Sequence, residues 1–415
     1  MMCDYSPDYA LQKALIVTQT STIFDRVVQV NIGKSTNSLK DFTRSYTVPY
    51  LLTPALNTLV NAFPAMQHFH TIQLSDIFLS RVYLYTILSS PHLIHLILDT
   101  VQLPEISTFP PTKLRKLTLK MMICSWETVQ PLIAQLATSL EYLELRHCTF
   151  LAPYRLQLPS FPCLQELRHH HYSYQSTFSD QAQLNELFRL GSPVTHLHVT
   201  GKFRNGPVAA CQKSLQYLST NICMLSDHIF GTESFPRLMH LSLRIFQFTN
   251  PAHYPPTPSS FIRDHFPTIT SLHLSIPWAL RNRAMVMARF QHNLQALKLV
   301  IDIGYRIDDE ESGEADSCFP VEVPNDQLHR AMLPATLENL TLDIIQNRGE
   351  LEWGATRCSG WVFDDVVPPA TGLDGTGLKS ISLLVSHPKK RVVKRERVLS
   401  RQWVKVPDNS WQLLE

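Results

Sequence analysis

The chain has 415 residues, 44% of them hydrophobic and 17% charged, with a formal net charge of +2. That composition excludes a disordered or collagen-like chain and supplies no whole-chain charge to draw it to nucleic acid or an anionic membrane. No run of about 18 apolar residues occurs, so no membrane-spanning helix is expected.

The opening residues, Met1 to Asp8, lack a basic start and apolar block, so no secretory leader is expected. Eight cysteines (Cys3, Cys124, Cys148, Cys163, Cys211, Cys223, Cys318 and Cys358) are scattered without a CxxC pair. This usage fits a reduced cytoplasmic or nuclear protein. Gly33-Lys34-Ser35-Thr36 looks like the end of a phosphate-binding loop. The glycine required five residues earlier is Val28, so no nucleotide site is expected there.

From residue 61 onward the pattern Leu-x-x-Leu-x-Leu recurs. Clear copies start at Leu93, Leu114, Leu140, Leu238, Leu294 and Leu337, and conservative variants at Val194, Ile269 and Leu378. Degenerate copies start at Leu164, with His169 in the third position, and at Leu215, with Thr220 there and Cys223 and Leu225 downstream. An early copy starts at Phe69, in competition with a frame at Met66. Between Phe69 and Leu294 the period averages 25 residues. The copy at Leu140, with Cys148 and Phe150, fits the leucine-rich-repeat template LxxLxLxxN/CxL.

Successive strand residues point to opposite faces, so the second and third leucines go inward and their neighbours outward. The expected fold is therefore an α/β leucine-rich-repeat solenoid of irregular, ribonuclease-inhibitor-like horseshoe type with a parallel concave sheet. Trp126, Val129, Leu132, Ile133 and Leu136 fall at helical spacing after Ser125, a suitable N-cap, and Leu184, Leu187 and Phe188 do so after Ser179. Pro91, Pro162, Pro236 and Pro267 each stand two residues before a first leucine, where they are expected to end the preceding segment in extended backbone.

The expected organisation is a capping segment over residues 1–60, the solenoid over 61–388 and a basic C-terminal tail over 389–415. An acidic insertion at about 302–327 (Asp308, Asp309, Glu310, Glu311, Glu314 and Asp316 among its acids) accounts for the long interval between Leu294 and Leu337. Lys389, Lys390, Arg391, Lys394, Arg395, Arg397 and Arg401 form the basic run. Both are expected to be solvated chain. The run offers a nuclear-import signal as one alternative and nucleic-acid association as another. The sequon at Asn339 falls in an expected strand and is discounted.

Three consecutive histidines, His169, His170 and His171, alternate in direction on a strand and do not converge on one ion; His196 and His198 fall on the next repeat. No GxSxG elbow or carboxylate pair marks catalysis. No metal, no cofactor and no enzymatic activity are expected. The outward strand positions are more telling. Six of the eighteen histidines occupy thirty-six such positions in a chain of 415. The expected partner-binding face comprises His95, Lys116, Lys120, Tyr142, Arg146, Arg168, His170, His196, His198, Tyr217, His240, Arg244 and His273. Tyrosine and arginine are enriched in interface cores. The face is expected to gain positive charge as pH falls through about 6.5. A protein partner is expected, with the chain itself a monomer.

The phrases Ser160-Phe161-Pro162-Cys163-Leu164 and Ser234-Phe235-Pro236-Arg237-Leu238, with Ile23 to Val30 as a preceding strand, resemble the repeat region of fungal F-box-like proteins from about residue 23 onward. In that family an F-box docks the Skp adaptor of a cullin ubiquitin ligase while the repeats hold the substrate. The resemblance thus implies substrate recognition by the repeats. The helical F-box, opening with a Leu-Pro-x-Glu-like signature, has no counterpart here, so Skp binding is expected only if one lies upstream. The alternative is a freestanding scaffold or inhibitor.

Overall fold

The computed structural model describes residues 27, 29–33, 53–105, 108–151, 160–170, 193–200, 211–221, 225, 230, 234–244, 258–277, 291–302, 334–345, 377–388, 395–406 and 411–414. The chain divides into two compact units, Met1–Cys211 and Gln212–Glu415.

The first unit is built on a parallel sheet. Its strands are β1 (Gln29–Gly33), β2 (Thr71–Ser75), β3 (His95–Asp99), β4 (Lys116–Lys120), β6 (Tyr142–Arg146), β8 (Glu166–His170) and β9 (His196–Thr200), side by side in that order. Two three-residue strands, β5 (Ile123–Ser125) and β7 (Thr149–Leu151), pair separately. Helix α1 (Thr53–Ala62) precedes β2, α2 (Arg81–Leu88) follows it, and α3 (Trp126–Leu136) lies between β5 and β6. Ser80 caps α2 by accepting from the Tyr83 amide at 3.3 Å. Ser125 caps α3 as expected, accepting from the Glu127 amide at 3.3 Å. The second expected helix, at 184–188, lies outside the described residues, as does Cys223.

Register carries the repeat from strand to strand. Ile72, Leu96, Leu117, Leu143, Leu167 and Leu197 form one inward row; Leu74, Leu98, Leu119, Leu145, His169 and Val199 form the next. Nearly all are shielded from solvent, each apolar side chain contributing about 1.5–3 kcal/mol through burial. The frame at Phe69 therefore prevails over that at Met66.

The second unit repeats the plan with β10 (Tyr217–Asn221), β11 (His240–Arg244), β12 (Ser271–Pro277), β13 (Ala296–Asp302), β14 (Asn339–Ile345) and β15 (Ser380–Pro388), all parallel. Helix α4 (Pro258–His265) precedes β12. Its Phe261 packs edge to face with Phe230 and Phe266, and Phe235 with Phe230 and Phe266, with ring centroids 5.5–5.9 Å apart. Strand β13 pairs directly with β14, so the long interval between them adds no strand among the described residues. The unit ends in antiparallel pairing: β16 (Arg395–Lys405) on β15 and β17 (Trp411–Leu414) on β16. Part of the basic run is thus strand.

Two backbone devices recur. The prolines before the first leucine occupy turns rather than extended chain. Leu93, Leu164, Leu238 and Ile269 each donate to the carbonyl three residues back, over Pro91, Pro162, Pro236 and Pro267. Proline at the second position of such a turn matches the fixed φ that the turn requires. At the other end of the strands, Asp76, Thr100, Met121 and His147 all have φ between 50° and 56°. Each donates its amide to the last carbonyl of the following main-sheet strand, at 3.0, 2.9, 2.7 and 2.7 Å. The left-handed turn ends the strand while keeping its next amide in the ladder, so the strain is offset by a hydrogen bond that continues the repeat.

Candidate functional site

The outward strand positions of the first unit carry the candidate site. Alternation puts residues i and i+2 of each strand on one face, and parallel register sets the same positions of neighbouring strands side by side at about 4.8 Å. One transverse row reads His95, Lys116, Tyr142, Glu166, His196. The middle row reads Ile97, Thr118, Glu144, Arg168, His198. The last reads Asp99, Lys120, Arg146, His170, Thr200.

These side chains interlock. The Tyr142 hydroxyl donates to Glu144 Oε2 at 2.8 Å, and Arg146 Nη2 meets Glu144 Oε1 at 2.7 Å. Glu166 Oε1 accepts from Arg168 Nε at 2.7 Å and Nη2 at 2.6 Å, with His198 Nε2 at 3.6 Å. The Arg168 guanidinium lies 5.5 Å from the Tyr142 ring centre, a cation–π contact. His95 approaches the same ring edge-on at 5.9 Å and reaches Thr118 Oγ1 at 3.0 Å. His170 reaches Thr200 Oγ1 at 3.2 Å. Glu144 and Glu166, the hubs of both clusters, were not among the expected site residues. Their signal was in the sequence all the same: Glu two residues before Arg on a strand shares a face with it.

The middle row is not a solvated face. Thr118 and Glu144 are buried and Arg168 and His198 half-buried, with His95 on Thr118 and Tyr142 on both Glu144 and Arg168. Burial pushes the Glu144 carboxyl up, but the Tyr142 hydrogen bond and the charges of Arg146 and Lys120 outweigh it and hold the group below its ordinary value. Burial, and then the bond to Glu144, raises the Tyr142 hydroxyl. Arg168 is held above its ordinary value, the bond to Glu166 outweighing burial. Burial, with Lys116 next, lowers His95 to about 4. His95 therefore adds no charge to the face near pH 6.5, contrary to expectation.

The remaining expected residues lie in the second unit. Tyr217 and His240 face each other with ring centres 6.4 Å apart, His273 Nδ1 lies 3.3 Å from Ser242 Oγ, and Arg244 is exposed at the end of β11. Among the described residues the same face of that unit otherwise carries mostly small side chains, Ser219, Ser242, Ser271, Ser275, Thr341, Ser380 and Ser382, and Lys298 Nζ lies 3.9 Å from Asp343 Oδ2. The dense lattice belongs to the first unit.

Among the described residues, no group of three His, Cys, Asp or Glu side chains converges as a metal site would require. Cys148 is buried, its thiol 3.2 Å from the Leu119 carbonyl, which suits its place in the repeat. Among the same residues no helix is long and apolar enough to cross a membrane. Comparison with known protein families finds no match, and neither does comparison with curated proteins.

Proposed function

We propose that the chain is a protein-recognition module, a leucine-rich-repeat solenoid of ribonuclease-inhibitor-like type whose outward strand face is the concave, partner-binding surface. The observation that carries this reading is the interlocked lattice of Tyr142, Glu144, Arg146, Glu166, Arg168 and His198. A sheet face needs no such lattice for stability, since apolar residues of similar volume serve as well as ion pairs. What the lattice does supply is preorganisation. Side chains already held in place lose little freedom on binding, which lowers the entropic cost of association. Tyrosine and arginine are also the residue types that dominate binding energy at interfaces.

The resemblance to F-box-like repeat regions gives this module a role, the selection of a substrate for ubiquitin transfer. The test is affinity purification of the tagged full chain from its own cells, scored for the Skp adaptor and a cullin, beside a variant carrying Arg168→Ala and His198→Ala. Recovery of adaptor and cullin together supports the receptor role. Their absence, with another protein recovered, makes the chain a freestanding recognition module. A double variant that folds normally and keeps every partner would rule out the face.

A further inference from the structure

The last transverse row of the first unit has a charge arrangement with a consequence for the partner. Lys120 lies between Asp99 and Arg146 in register, and Arg146 lies beside His170. Lys116 shares strand and face with Lys120, about 13 Å away at the usual strand rise. Arg146 is oriented from below by Glu144. Unlike Arg146 and Arg168, neither lysine has a hydrogen bond or ion pair among the described residues; Lys116 is exposed and Lys120 half-buried. Lys120 is nevertheless close enough to Asp99 and Glu144 to act on both electrostatically.

Three cations (Lys116, Lys120, Arg146) thus stand against two carboxylates (Asp99, Glu144), an excess of one positive charge. A singly charged oxyanion balances that excess. A dianionic phosphate overshoots it and meets Asp99 and Glu144 at close range, where like charges repel. A nucleic-acid backbone needs a continuing track of cations. The row gives way instead to neutral Ser75 beyond Asp99 on one side and to Thr200 on the other.

We propose that Lys116, Lys120 and Arg146 form a docking surface for an Asp- or Glu-containing segment of a partner protein, one carboxylate seated between Lys120 and Arg146 while Lys116 attracts it from farther along the strand. The inference rests on the recognition reading above and names the chemistry of its partner. The exposed Lys116 ammonium and the half-buried Lys120 ammonium have no ion-pair partner among the described residues, and the Arg146 guanidinium is already held by Glu144.

The test uses the full chain and fluorescence anisotropy at low ionic strength. The probes are a labelled peptide alternating Gly and Glu, its Gln counterpart, its phosphoserine counterpart and a short single-stranded oligonucleotide. The Glu peptide should bind and the Gln peptide should not. Lys116→Ala with Lys120→Ala should weaken the Glu peptide by about tenfold, as expected for losing one charge contact and one longer-range attraction worth together about 1.4 kcal/mol. Lys116→Glu with Lys120→Glu should abolish binding, with circular dichroism unchanged in both variants.

Three results overturn the proposal. The first is no binding of the Glu peptide, and the second is binding that survives loss of both lysines and so uses other basic residues. The third is tighter, lysine-dependent binding of the phosphopeptide or oligonucleotide. If the proposal fails while the Arg168 and His198 variant still loses its cellular partner, the recognition face stands and only the acidic class is wrong.

Discussion

Glu144 is the residue through which stability and site geometry are most tightly linked. Its side chain is 7% exposed, held by the Tyr142 hydroxyl at 2.8 Å and by Arg146 at 2.7 Å. The hydrogen bond from Tyr142 to this ionised group contributes about 1.5–3 kcal/mol, and the Arg146 contact is an ion pair alone. The Arg146 side chain is 43% exposed and regains water when its partner is lost. Glu144→Gln should therefore cost about 1–2 kcal/mol, below the roughly 3–5 of a fully buried broken pair. Tyr142→Phe removes one donor and leaves the ion pair, for about 1–1.5 kcal/mol. In the Gln background the hydroxyl meets a neutral amide, so the double variant should fall short of additivity by about 0.5–1 kcal/mol. Global unfolding of a chain with two compact units is not a two-state measure. The assay is therefore hydrogen exchange read at the amides of β4, β6 and β8. Additivity within about 0.3 kcal/mol would refute the shared network. The pH dependence has a definite sign. A carboxyl held below its ordinary value in the fold contributes stability that is present above the unfolded value near 4.5 and lost as pH falls through the folded one. Glu144→Gln should remove that part of the acid limb.

His95 acts in a different window. Burial and Lys116 lower its pKa from 6.5 to about 4, so between those values only the unfolded chain holds the proton. The associated stability is present in full above 6.5 and is lost as pH falls toward 4. His95→Gln, which can keep a bond to Thr118, should flatten the pH dependence of the stability read by hydrogen exchange at the amides of β3 and β4 across this window, and profiles that stay parallel to those of the unaltered chain would contradict it. Thr100 is a β-branched residue at φ 56°, a conformation that costs a non-glycine residue about 1–2 kcal/mol. Part of the relief is offset by the greater unfolded-state freedom of glycine, so Thr100→Gly should be more stable than Thr100→Ala by about 0.5–1 kcal/mol. Both variants lose the 3.2 Å bond from Thr100 to Asp99, which cancels in the comparison. An alanine variant as stable as the glycine one would show that the left-handed turn carries no strain.

The twelve repeat strands were legible because each carries inward apolar residues at alternate positions, a period that no helix shares. The strands outside the repeat lack that signal. Strand β1, which overlaps the strand expected over Ile23 to Val30 at Gln29 and Val30, buries Val30 and Ile32. Strand β16 mixes Arg395, Arg397 and Arg401 with apolar residues, so its charge outweighs its alternation; Trp403, opposite Ile381, is the buried residue that reveals it. At the site, aromatic and basic side chains were visible individually, whereas their grouping depends on register, which parallel pairing across 20 to 30 residues fixes only in three dimensions. The degenerate copies show why the register holds. His169 occupies an inward leucine position and is 3% exposed, and Thr220 does so at 2%, yet both strands pair in frame with their neighbours. A polar residue in one inward position sacrifices part of one apolar contact. A slip of one residue would instead turn Leu167 and Leu218 outward and break the row on either side. The inequality favours the frame by the whole of that difference, so a repeat tolerates a lost leucine much more readily than a lost register. The lattice of Tyr142, Glu144, Arg146, Glu166 and Arg168 depends on that same register, which makes the inward leucines its positioning elements.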